Sequence, residues 1–299
     1  MSIISFISVK GSPGVTTLAC LVGASWPEGR KVMVVESDPC GGDLTARFHL
    51  SSRDGWASFT AAARRSGGTV PVGPHLQQLP GGLDVLVSSR GDRTDGPPSL
   101  STFLPSLVAD PEGPWDLLVD LGRLLPGDEE SLLWMRRSDI VVVCLRSDAA
   151  SVVQVRDRAA PLLETLQGNL VLAVVDRGAY SGADIAQFTN IPVLGMIPFD
   201  PASAAVVAGE EHRARRLRRS MLVTASARMA AELARASASS VDSESSTYRT
   251  SEGVDRDPDR TTHGASPVQS DEDGARGVLE GIATYSERPQ RTHTAGGPR

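Results

Sequence analysis

Lysine is almost missing from this chain: of 30 basic residues among 299, only Lys10 and Lys31 are lysines. The arginine bias reads as gene base composition, so an arginine-rich stretch carries less weight here than elsewhere, and a lysine carries more. Cysteine is scarce as well. Cys20, Cys40 and Cys144 form no CxxC pair and have no histidines at ligand spacing, which argues against a disulfide framework and a zinc site and fits a reducing compartment. Long apolar runs are lacking: none approaches the roughly 18 residues of a spanning helix, and "MSIISFISVK" has neither the basic start nor the length of a signal peptide. The expectation is a cytoplasmic protein with no integral membrane segment, peripheral at a membrane only through a partner. Nor is there an excess of positive charge. The 36 acidic residues leave a net −6, which excludes a surface built throughout for nucleic acid and leaves local basic patches to consider.

What the chain does have is 40% apolar residues, enough for a well-buried core. Short runs that are apolar at nearly every position occur at 3–9, 31–36, 83–88, 115–121, 139–145, 169–175 and 191–197. Such runs suit strands buried on both faces. Between them lie helix-compatible segments at 16–25, 56–65, 99–109, 128–137, 149–167, 181–188 and 213–236. Strand and helix in alternation predict right-handed crossovers and an α/β fold, a mostly parallel sheet flanked by helices, over residues 1–236. From 237 to 299 Ser, Asp, Glu, Gly and Pro dominate. Too few apolar residues remain there to offset the entropy of ordering, so this segment is expected to be a disordered tail.

In a parallel sheet, ligands gather at the carboxyl ends of the strands. Chemically interesting residues fall there repeatedly: 10–17 after the first run, 36–43 after the second, 120–123, 176–177, and 198–200 after the last. The first of these, "KGSPGVTT", reads as a phosphate-binding loop. Gly11 and Gly14 allow close backbone approach, successive N–H groups at a helix start favour anionic oxygens, and Thr16 stands where a hydroxyl would meet Mg²⁺. Two departures stand out: Val15 occupies the place of the phosphate-gripping lysine, and Pro13 removes an N–H donor.

The loop Lys10, Gly11, Ser12, Pro13, Gly14, Val15, Thr16, Thr17 resembles the deviant Walker A of the ParA/MinD superfamily of P-loop ATPases, KGGxGKTT. "VMVVESDPCGGDLTARF" is similar to its Walker A′ segment, with Glu36 in place of the first acid and Asp38 matching the DP pair. "WDLLVDLG" resembles Walker B, with Asp120 as its acid. "VVDRG" places Asp176 and Arg177 where the family often has an adenine-contacting Asn, and "IPVLGMIPFDP" places Pro198, Phe199 and Asp200 in the segment that lines the base pocket. The resemblance implies ATP and Mg²⁺ as cofactors, with Thr16, Asp38 and Asp120 at the metal. It also implies a homodimer in which Lys10 reaches the partner's nucleotide, and Lys10, Asp38 and Asp120 as the catalytic set. The longer Glu36 is expected to displace its carboxylate from the family position. Arg123, just after the Walker B acid, reads first as a member of a surface ion pair, with restoration of positive charge near the phosphates as the alternative.

Losing one charged hydrogen bond at residue 15 costs about 1.5–3 kcal/mol of binding. Hydrolysis is the more exposed function, because cationic stabilisation of a transferring phosphoryl group is worth about 10³ to 10⁵ in rate. The loop's degraded lysine is most similar to atypical CpaE/TadZ-type and actinobacterial MinD-like members. That likeness implies a nucleotide-responsive dimeric switch with weak or absent hydrolysis, a spatial organiser that localises pilus or secretion machinery through a secretion ATPase or polar factor. Two alternatives stay open. One is an active ParA-type partitioning ATPase that binds DNA nonspecifically through Arg213, Arg215, Arg216, Arg218 and Arg219. The other is a pseudo-ATPase that holds no nucleotide and acts as an interaction module.

Overall fold

A computed structural model of the chain describes residues 1–11, 13–88, 100–166, 169–176, 178–209, 217 and 219–247. Eight strands form one sheet: β1 (Ile3–Ser8), β2 (Lys31–Glu36), β3 (Gln77–Gln78), β4 (Asp84–Leu86), β5 (Trp115–Arg123), β6 (Ile140–Arg146), β7 (Leu170–Asp176) and β8 (Val193–Pro198). Their order is β3-β4-β2-β5-β1-β6-β7-β8. All neighbours are parallel except β3 on β4. The helices are α1 (Val15–Ala24), α2 (Leu44–Phe48), α3 (Trp56–Ser66), α4 (Leu100–Val108), α5 (Glu129–Arg137), α6 (Ala149–Thr165), α7 (Gly182–Thr189), α8 (Pro201–Val207) and α9 (Met221–Thr247), with a 3-10 turn at Gly73–His75.

The near-continuous apolar runs are split by strand alternation into two cores, since successive side chains point to opposite faces. Ile4 and Phe6 join Val34, Leu118 and Val142 on the face covered by α1 and α9. Ile3 and Ile7 join Met33, Val35, Leu117 and Val119 on the other face. The few aromatics concentrate in that second core. Phe103 meets Trp56, Phe59 and Trp134 edge-on, with ring centroids 4.7, 5.4 and 6.0 Å away. Their polar handles are used as well: the Trp56 indole N–H donates to the Glu36 carbonyl at 2.8 Å and that of Trp134 to the Ser37 hydroxyl at 3.1 Å. The aromatic cluster thereby fixes the chain where it leaves β2.

The seven expected strands are present, but the run at 83–88 pairs only over Asp84–Leu86. Its end is claimed elsewhere: Val87 O accepts from Trp56 N at 3.0 Å, and Ser88 N donates to the Glu36 carboxylate at 3.0 Å. Two helices were not foreseen. α2 has only five residues, too few for a periodic signal. α8 begins at a cap written plainly as Asp200-Pro201, where the Asp200 carboxylate accepts from Ser203 N at 3.0 Å and proline sits in the first turn. The last helix runs from Met221 to Thr247, beginning later than the expected 213 and extending past 237, where the tail was expected to start. Residues 248–299 of that tail lie outside the described residues.

Candidate functional site

β1 ends where Gly11 and Gly14 take φ of +66° and +100°, conformations that cost glycine little and other residues much. Gly14 caps α1 with no side-chain hydrogen bond, so the N–H groups of the first turn remain available to an anion. Ser12 lies outside the described residues. Val15 is 6% exposed and belongs to the same buried cluster as Leu18, Leu44 and Phe48. Val15 is therefore core, and the loop presents main chain and threonine hydroxyls. Lys10 is half-buried. Together with Arg146 it helps to hold Asp148 ionised: desolvation there, the largest single influence, is outweighed by the sum of hydrogen bonds from Ser151 N and Oγ and the two cations.

Three carboxylates gather at the tips of β2 and β5. Glu36, 1% exposed, accepts from Asp43 N at 2.6 Å and Leu44 N at 3.0 Å through Oε1, and from Ser88 N at 3.0 Å through Oε2. Burial still pushes its pKa up to about 7 against those bonds. The longer side chain is thus committed to the backbone of the 42–44 turn, where a Cβ on Gly42 would collide with it. Asp38 is half-buried. Its Oδ1 accepts from Cys40 N at 2.7 Å and its carboxylate rests against Gly122, at φ +58°, where a Cβ would collide; desolvation raises its pKa. Asp120 is wholly buried. Oδ1 accepts from Gly122 N at 3.0 Å, while Oδ2 has no hydrogen-bond partner among the described residues. Desolvation pushes its pKa up to about 6, with the nearby Thr16 hydroxyl favouring the charged form.

A cavity of about 290 Å³ opens beside the loop. Pro13, Gly14 and Thr17 line it with Pro198, Phe199, Asp200 and the α8 residues Ala204, Ala205 and Ala208. The first and last of the sequence-predicted segments are therefore brought together. Asp200 contributes to the wall while its carboxylate serves α8 and α9, with Oδ2 accepting from Ser203 Oγ at 2.5 Å and Ser220 Oγ at 3.0 Å. Val175 lines the cavity, but its neighbour Asp176 is exposed at the end of β7 and is not part of the lining. Arg177 lies outside the described residues, as do Arg213, Arg215, Arg216 and Arg218; Arg219 is described and exposed. Cys144 is also in the lining, but burial pushes its thiol far up, so it is no nucleophile.

Arg123 is exposed just beyond the register break between β1 and β5 and does not line the cavity. Two other arginines do: Arg47 on α2 and Arg146 at the end of β6. Neither arginine was assigned a role from the sequence. The available signal was position, since Arg146 closes a strand at its ligand-binding end and Arg47 follows the turn after β2.

Among the described residues no three His, Cys, Asp or Glu side chains converge as a metal cage. The donors present suit Mg²⁺, which keeps several waters and takes one or two protein oxygens together with phosphate. Asp120 has an orphaned buried oxygen, Thr16 offers a hydroxyl beside it, and Asp38 adds a second carboxylate. No helix among the described residues is long and apolar enough to cross a membrane.

No protein-family profile matches the sequence, and no curated protein matches it either. Solved structures do match. They include the septum site-determining protein MinD complexed with Mg-ADP from Pyrococcus horikoshii, with a TM-score of 0.59 and 16% identity over 78% of this chain and 95% of that one. A chain of the MinC:MinD cell division protein complex of Aquifex aeolicus gives 0.59 and 18% over 78% and 96%. A ParA family ATPase from Chlorobium tepidum gives 0.56 and 16% over 77% and 98%. At these identities the likeness is one of fold, and the fold is that of the MinD and ParA P-loop ATPases.

Proposed function

We propose that this chain is a nucleotide-responsive switch that binds ATP with Mg²⁺, dimerises, and hydrolyses the nucleotide slowly or not at all. The observation that carries the reading is the cavity itself: it joins the glycine loop at the start of α1 to the 198–200 segment at the end of β8, and the half-satisfied Asp120 on β5 lies beside Thr16 of that loop. In that arrangement the first-turn N–H groups of α1 would hold phosphate oxygens, and the Pro198 and Phe199 wall would take the base. Thr16, Asp38 and Asp120 would hold Mg²⁺. Mg²⁺ supplies neutralisation of phosphate charge when bound. With Val15 in the core, the loop brings no lysine to the transferring phosphoryl group, and a missing cation of that kind costs about 10³ to 10⁵ in rate.

Lys10, at the mouth of the loop, is the residue that would reach across a homodimer. The role of spatial organiser, positioning pilus or secretion machinery through a protein partner, rests on the likeness of the loop to CpaE/TadZ-type sequences. Support of a general kind comes from the neighbour that is a complex of MinC with MinD.

Isothermal titration of the full chain with ATP and Mg²⁺ tests the switch. The expected result is saturable binding, with phosphate release indistinguishable from a no-protein control. Brisk turnover stimulated by nonspecific DNA would favour the partitioning ATPase instead. Absence of binding by a well-folded protein would leave only the interaction module.

A further inference from the structure

Val15 removes one cation from the loop, yet the cavity beside the loop is lined by two others. We propose that Arg47 and Arg146 grip the phosphate groups of a nucleoside di- or triphosphate in this cavity, supplying from α2 and from the end of β6 the charge that residue 15 does not carry. This assignment rests on the nucleotide reading above and names the side chains that make it work.

The placement of Arg47 is built rather than incidental. Gly209, at φ +76° after α8, lies so close to the Arg47 carbonyl that a Cβ there would collide with it, which holds α2 against the helix forming the opposite wall. The side chain is three-quarters buried, 25% exposed. Its one hydrogen bond among the described residues is a single contact to Asp43 Oδ2 at 3.3 Å, one turn back on the same segment. A pair of that kind holds a guanidinium only weakly and leaves most of its five donors unused. Arg47 also lies within electrostatic reach of Asp120, whose charged form it favours. Arg146 is half-buried at the end of β6, in register with Val175, another residue of the lining. It has no ion-pair partner within 4 Å among the described residues, and the nearby Asp148 is already bonded to Ser151. Planar guanidinium forks match phosphate oxygens bidentately and stay charged at any working pH.

The alternative is that both arginines only balance local acids. The experiment separates the two by comparing a phosphorylated ligand with an unphosphorylated one. Titrations of ATP with Mg²⁺ and of adenosine are run on the full chain and on Arg47→Gln, Arg146→Gln and the double variant, each first checked by thermal melting. Each single substitution is expected to weaken ATP about 10- to 100-fold and the double substitution more than either, with adenosine unchanged. Unchanged ATP affinity in the double variant overturns the assignment while leaving the nucleotide switch intact. Equal losses for ATP and adenosine also overturn it, because the arginines would then be shaping the cavity and not reading phosphate. If the unmodified chain binds no ATP, both readings fall together. Should Arg47→Gln fail to fold, Arg47→Lys retains the charge facing Asp43 and loses the fork. A loss of several-fold for ATP alone is expected there, and none would refute the role of Arg47.

Discussion

Glu36 and Asp120 stand side by side at the tips of β2 and β5, in register with one another, and they are employed in opposite ways. Both are buried and both are driven toward neutrality by desolvation, Glu36 to about 7 and Asp120 to about 6. Glu36 nevertheless satisfies three backbone N–H groups from two separate segments. Asp120 satisfies one and leaves Oδ2 unpartnered. Burial and titration alone therefore do not distinguish a carboxylate that organises a loop from one that awaits a ligand. The state of its oxygens does, because a lone pair with no partner in a dry interior persists at a cost unless something outside the chain uses it.

The sharpest way to break this comparison is to remove each carboxylate in turn. Glu36→Ala orphans the N–H groups of Asp43, Leu44 and Ser88, at about 1–3 kcal/mol each. Urea unfolding is expected to show a loss of about 3 kcal/mol or more. Asp120→Asn retains an acceptor for Gly122 N and removes a buried charge, so stability at pH 8 is expected to hold or rise by about 1 kcal/mol. Its cost should fall on the Mg²⁺ dependence of ATP binding, which is expected to vanish. If Asp120→Asn proves as destabilising as Glu36→Ala, the division of labour between the two strands is wrong.

The same contrast explains what was legible in the sequence. The fold was, because runs such as "KVMVVE" and "DIVVVCL" announce buried parallel strands and their order with helices fixes the class. So was the meeting of the glycine loop and the 198–200 segment at one cavity, because strand ends are where a parallel sheet leaves main chain exposed. The destination of Glu36 was not: an acid one methylene longer than the expected Asp reads as a carboxylate displaced from the family position, and only the turn at 42–44 reveals it as a scaffold. Arg47 was hidden for a related reason, since five-residue α2 has no periodicity to place it. Arg123 drew attention by its proximity in sequence to Asp120, and it lies exposed just beyond the register break between β1 and β5.

A smaller effect, and one that sharpens the comparison, comes from pH. The folded chain keeps protons on Glu36 and Asp120 up to about pH 7 and 6, whereas unfolded Glu and Asp release them near 4.5 and 3.8. Unfolding therefore releases protons across this window, and stability falls as pH rises from 5 to 7.5, by on the order of 2 kcal/mol. Glu130, also raised to about 7 by burial, and the raised Asp38 and Asp84 act in the same direction. His75, lowered by burial, opposes them near pH 6. Mg²⁺-dependent ATP affinity should move the other way, increasing with pH through about 6 as Asp120 ionises. Denaturation midpoints and titrations at pH 5.5 and 7.5 check both slopes. Parallel slopes would mean that the Asp120 charge is not what the ligand uses.

The smallest expected effect concerns Asp200, a third carboxylate at the site and one of the partnered kind. It ties the start of α8 to that of α9: Oδ1 accepts from Ser203 N, and Oδ2 from the hydroxyls of Ser203 and Ser220. The Ser220 hydroxyl in turn accepts from Leu222 N at 3.2 Å. If partnered carboxylates are scaffold, Asp200→Ala should cost about 1 kcal/mol, the usual value of a lost helix cap. Because α8 forms a wall of the cavity, loosening its first turn should weaken ATP and adenosine by the same few-fold and leave the Mg²⁺ dependence intact. A selective loss of ATP, with adenosine unaffected, would instead place the phosphates against the end of β8 and reverse the orientation of the nucleotide in the cavity.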